Sequence, residues 1–251
     1  MDDSDLAEEM ASVVGKHPFL YYSIVLNDSQ VLRHPSRSNL FADTFCEVYN
    51  SYNDGLFNSI RLMIRYEKSL MAWSKVVSEI EGGTFQNTLL MDYVHPVFVV
   101  ACDLPITFKD QFARGCAKIA AISKGNDSYL RDIDGKRRLN WFKEMRSVCS
   151  DTSLEKRLIE IVNDDLYGCP DAVHFRNIHG AGTHDLSRSL VSGVRHACSP
   201  AKGVVLHTYS ELFNLDGEIE IMDRHRLRMQ GAYRVFGEYA DELYCSIKRN
   251  R

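Results

Sequence analysis

Between residues 41 and 81 the chain contains no proline and a single glycine, Gly55. Apolar side chains recur there at Phe45, Val48, Tyr49, Tyr52, Leu56, Ile60, Met63, Ile64, Leu70, Met71, Val76 and Val77. That spacing keeps returning to one face at about 3.6 residues per turn, so the stretch predicts one long helix or two nearly continuous ones. Gly82-Gly83 supplies the stop. No other segment constrains the fold as strongly, and it directs the chain towards a helical class.

The remaining punctuation extends the same pattern. Residues 86–102 and 106–123 predict two helices parted by Asp103-Leu104-Pro105, with Lys124-Gly125-Asn126 closing the pair. Residues 126–136 read as a charged loop, and helices follow over about 137–148 and 153–164. Ser153 with Glu155 resembles an N-cap and acidic first turn. Gly168-Cys169-Pro170-Asp171 breaks the pattern and starts another helix around Val173. Upstream, residues 3–14 predict a short acidic helix, 19–25 a short strand or buried segment, and 27–39 a loop.

Near the C-terminus the period changes. Residues 203–213 and 218–221 are β-rich and flank Asn214-Leu215-Asp216-Gly217, which predicts a β-hairpin over about 204–222. Residues 224–248 return to a helical pattern. The expected fold is therefore mainly α, one domain over 1–251, with 1–39 as an N-terminal extension and a small hairpin insertion.

Composition bounds the function classes. With 45% hydrophobic and 25% charged residues, 6 prolines and 15 glycines in 251, the chain is neither disordered nor fibrous. No run approaches the roughly 20 apolar residues of a membrane span. The acidic start MDDSDLAEEM is unlike a secretory leader, so a cytoplasmic location is expected. A net charge of -4 confines any nucleic-acid contact to a local site. The seven cysteines form no C-x-x-C pair and read as reduced core residues.

One segment concentrates chemistry: His174-Phe175-Arg176-Asn177-Ile178-His179-Gly180-Ala181-Gly182-Thr183-His184-Asp185. Histidine exchanges protons near neutral pH, and arginine holds phosphate through paired hydrogen bonds. Together they suffice for phosphoryl chemistry without a metal. Three histidines five residues apart also raise a metal reading, but on a regular helix each step turns about 140°, so the three diverge. Gly180-Ala181-Gly182 lacks the lysine of a phosphate-binding loop. Basic residues cluster at Lys136-Arg137-Arg138, at Arg224, Arg226 and Arg228, and at Lys248, Arg249 and Arg251. These read first as solvated faces, with the middle set, around His225, as a possible RNA path. Trp73, Trp141 and Phe142 read as core.

Phe175-Arg176-Asn177 followed by His179-Gly180, late in a helical chain, resembles the Arg-polar-x-x-x-His motif of HEPN domains (higher eukaryotes and prokaryotes nucleotide-binding). In that family the histidine usually lies five or more residues after the arginine. Here His179 is three positions on and His184 eight, so either is the candidate. The resemblance implies an HEPN-like helical bundle and a metal-independent endoribonuclease with no cofactor. It implies a homodimer in which two Arg-His motifs form one site, an RNA substrate, and a toxin or antiviral setting with an antitoxin or regulatory partner. Arg176, Asn177, His179 and His184 are the implied catalytic residues. The alternative is a catalytically inactive HEPN-like module that binds a partner protein or a nucleotide.

Overall fold

The computed structural model describes residues 40–80, 86, 89–125, 141–149, 152–184, 194–199, 204–209 and 214–249. The expected helix at 3–14, the segment at 19–25, the loop at 27–39, the Gly82-Gly83 stop, the Lys136-Arg137-Arg138 cluster and Arg251 lie outside them. Among the described residues, six α-helices carry the fold: α1 (Leu40–Glu79), α2 (His95–Ser123), α3 (Trp141–Val148), α4 (Ser153–Glu160), α5 (Pro170–His184) and α6 (Leu215–Arg249). Two π-helical segments, Leu90–Val94 and Ile161–Gly168, lead into α2 and out of α4. The chain is mainly α. Among the described residues, no helix is long and apolar enough to cross a membrane.

α1 is one unbroken helix, as its apolar spacing implies. Two other expectations need correction. Residues 95–123 form a single helix with Pro105 inside it, not two helices split at Asp103-Leu104-Pro105. A proline there removes one backbone bond. The buried positions Phe98, Ala101, Cys102, Phe108 and Phe112 nevertheless keep helical spacing on both sides of it, and apolar burial outweighs that single bond. The hairpin expected over 204–222 is not seen, because Leu215 already begins α6. Two six-residue strands lie earlier, β1 (Val194–Ser199) and β2 (Val204–Tyr209), antiparallel with Val194 opposite Tyr209 and Ser199 opposite Val204. Asn214 accepts the Gly217 N–H through Oδ1 at 3.1 Å, and the Glu218 N–H reaches the Asn214 carbonyl at 3.0 Å. A polar Asn-x-x-Gly run that reads as a turn is here a helix N-terminus.

The described residues group into two compact units. One contains Leu62–Asp103 and His174–Arg224. In it Met63, Leu70, Val76, Leu89, Phe98 and Phe175 are fully buried. The Trp73 and Tyr93 rings lie 5.7 Å apart, and Ser74 Oγ donates to Asp216 Oδ1.

The other unit contains residues 40–61, Leu104–Val173 and residues 225–249. Its centre is aromatic. Phe236 stacks on Tyr49 at 5.4 Å and meets Phe112 at 6.0 Å, while Phe45 stacks on Tyr244 at 6.0 Å. Gly115 makes room for this packing, since a Cβ there would lie 3.1 Å from Tyr52 and 3.2 Å from Phe236. The buried Asn53 side chain accepts hydrogen bonds from Tyr49 at 3.2 Å and Tyr233 at 2.8 Å. The cap of α4 is Thr152, one residue before the expected Ser153. Its Oγ1 accepts from the Glu155 N–H, and its own N–H donates to Glu155 Oε2, both at 3.1 Å.

Gly168 ends the π segment because a Cβ there would sit 2.6 Å from the Asn163 carbonyl oxygen. Cys169 then starts α5. Its Sγ donates to the Asp165 carbonyl at 3.0 Å and accepts from the Ala172 N–H at 3.4 Å, taking the role of a capping side chain.

Candidate functional site

All four residues implied by the motif lie on α5, which continues without a break from Pro170 to His184 across Gly180-Ala181-Gly182. Two glycines in a helix cost roughly 1 kcal/mol each relative to alanine, and the helix forms in spite of them. Its continuity sets the backbone positions. His179, three residues after Arg176, stands about 4.5 Å along the axis and about 60° to one side. His184, eight residues after, stands about 12 Å along and about 80° to the other side. Of the two histidines, His179 therefore has the backbone position nearer Arg176. The side chains of His179 and His184 lie outside the described set.

Arg176 is half-buried, and its Nη1 is out of contact with solvent. Asn177 is exposed. Phe175, fully buried, anchors this part of α5 in its unit. His174 Nε2 lies 2.6 Å from Glu218 Oε2 and its ring meets Phe175 edge-on at 5.9 Å. About a third of the His174 side chain is exposed and 16% of that of Glu218. The sequence pattern does not predict this His-carboxylate pair, because it places Glu218 in a hairpin. Only the helical reading of residues 215–222 makes it legible. The pair also ties up one of the three histidines on which a metal reading depends. Among the described side chains, no group of three histidine, cysteine or acidic residues is gathered for a metal ion.

The second unit holds another histidine cluster. His225 is fully buried, with Nδ1 3.9 Å from Cys169 Sγ. Burial, reinforced by Arg228 and opposed by Asp171, pushes its pKa down to about 4. Arg228 itself binds Asp171 at 2.7 Å, and Arg226 donates to Gln230 at 3.2 Å. Both engage side chains of their own unit. Trp73 is buried as expected. Trp141 is only partly so and lies under the Arg114 guanidinium, 4.6 Å from guanidinium carbon to ring centroid.

No family model, no characterised protein and no solved structure matches the chain. The functional reading therefore rests on the residues themselves.

Proposed function

We propose that the chain is a metal-independent endoribonuclease of the HEPN type, centred on Arg176, Asn177 and His179 or His184. It would act on RNA as a cytoplasmic homodimer, with an antitoxin or regulatory protein as a further partner in a toxin or antiviral role. The observation that supports this reading is the continuity of α5. The motif stays on a single helix, and Arg176 and His179 are held one turn apart.

The chemistry asked of these groups is limited. RNA supplies the nucleophile. The ribose 2′-oxygen attacks the adjacent phosphorus as a histidine takes its proton, the bond to the 5′-oxygen breaks, and that oxygen leaves with a proton. The products are a 2′,3′-cyclic phosphate and a 5′-hydroxyl. Arg176 holds the phosphate and offsets charge gathering on its non-bridging oxygens. Asn177 orients the arginine or histidine by hydrogen bonding.

The test incubates the purified protein with total RNA in EDTA, beside Arg176→Ala, His179→Ala and His184→Ala. The expected result is cleavage in EDTA that falls roughly 100-fold or more in Arg176→Ala and in His179→Ala. Equal cleavage by all four proteins would sink the assignment. A folded protein that retains RNA but never cuts it would favour the inactive binding module.

A further inference from the structure

A cavity of about 490 Å³ opens in the second unit between α1, α2 and the start of α3. Its volume falls in the range of small-molecule sites. Arg176 and Asn177 are not among its described lining residues. Gly55 of α1, with Thr107, Asp110, Gln111 and Arg114 of α2 and Trp141 of α3, supply the groups that decide what it would hold.

Gly55 lets the Gln111 side chain approach the α1 backbone, since a Cβ there would lie 3.0 Å from Oε1 and 3.7 Å from Nε2. The amide oxygen is buried and is the Gln111 atom nearest Gly55, and Gln111 also lines the cavity. The Arg114 guanidinium carbon lies over Trp141, 4.6 Å from the ring centroid. A guanidinium carries five N–H donors in one plane, so it can keep a protein contact and still present donors at another edge. Asp110 is the opposing charge, but it is paired with Lys109 at 3.1 Å and 58% exposed. The lining thus sets a guanidinium and a primary amide, both able to donate, beside an aromatic ring.

We propose that this cavity binds a small organic anion. Its carboxylate or phosphate would be held by Arg114 and the Gln111 amide, and its body would lie against Trp141. The proposal is independent of the nuclease reading.

The indole N–H resonance of Trp141 reports on the site directly. The chain has two tryptophans, and a Trp73→Phe variant assigns which signal is which. Titrations use inorganic phosphate and, separately, benzoate, at constant ionic strength set by sodium chloride. The expected result is a saturable shift of the Trp141 signal with at least one probe. Phosphate alone would identify a phosphate ligand and benzoate alone a carboxylate. The apparent affinity should weaken roughly 10- to 100-fold in Arg114→Gln, the loss of one charge-assisted contact. Thr107→Phe places a ring at an exposed position of the lining and should also abolish the shift, which keeps the test decisive if Arg114→Gln does not fold. No saturable shift with either probe, an apparent affinity unchanged in folded Arg114→Gln, or a shift that survives in folded Thr107→Phe overturns the proposal.

Discussion

Glu155 should be among the most costly single residues to remove from the second unit. It is 1% exposed, and three groups depend on it. Oε2 accepts the Thr152 N–H at 3.1 Å, Oε1 accepts the Tyr239 hydroxyl at 2.8 Å, and Lys124 Nζ lies 3.5 Å from Oε1. Burial, above all, raises the Tyr239 pKa far beyond its ordinary value, so the phenol stays protonated and donates. Glu155→Ala removes half of the capping box, worth about 1 kcal/mol. It strands a buried hydroxyl, worth about 1–3 kcal/mol. Its partial replacement is Cys149 Sγ, 3.6 Å from that hydroxyl and a weak acceptor. The lysine is 38% exposed, so its pairing adds less than about 1 kcal/mol. The expected total is about 3 kcal/mol. With a urea slope of about 2 kcal/mol per molar, the midpoint should fall by about 1.5 M, read by far-ultraviolet circular dichroism. Glu155→Gln keeps the shape and should lose about half as much. A double-mutant cycle with Tyr239→Phe should give a coupling of about 1 kcal/mol or more. A midpoint shift in Glu155→Ala below about 0.3 M would refute the reasoning, because the carboxylate would then be bonded no better than in water.

His225 gives a pH signature. Its pKa in the fold, about 4, is below the ordinary 6.5. Between those values the unfolded chain binds a proton that the native one does not, so stability should fall as pH drops from about 6.5 to 4 and flatten below, by about 3 kcal/mol in all. The groups facing it are Cys169, Asp171 and Arg228. His225→Phe should remove that slope in urea titrations across pH, and an unchanged slope would assign it to other groups. Two glycines should respond oppositely to alanine. Gly231 of α6 has nothing within 4 Å of a Cβ, so Gly231→Ala should stabilise by about 0.5–1 kcal/mol. Gly115→Ala, pressed on Tyr52 and Phe236, should destabilise by about 1 kcal/mol despite the same gain in helix propensity, and calorimetric midpoints moving in the same direction would contradict this.

Where sequence and structure part, the same residue types serve two purposes. Asn214, Asp216 and Gly217 are turn formers, and between β-rich runs they predict a hairpin. They are equally the residues of a helix start, and what separates the readings lies further along the chain. Buried side chains at Leu215, Ile219, Met222, His225, Met229, Phe236 and Ala240 keep helical spacing through and beyond the Asp-Gly pair. The two-residue alternation after Gly217 covers only Glu218 to Ile221 and is not carried further, and that longer window is the signal that decides. Pro105 shows the same competition on α2, where a local breaker is carried inside a helix whose buried face continues on both sides. The motif at Arg176 was legible because its chemistry is local, three residue types within one or two turns. The Arg114–Trp141 cavity and the Glu155–Tyr239 bond were not, because each joins side chains 27 and 84 positions apart that only tertiary packing brings together. Periodicity in a single chain reports which face of a helix is buried. It does not report which other helix covers that face, and polar side chains that meet across such packing leave no spacing signal to read.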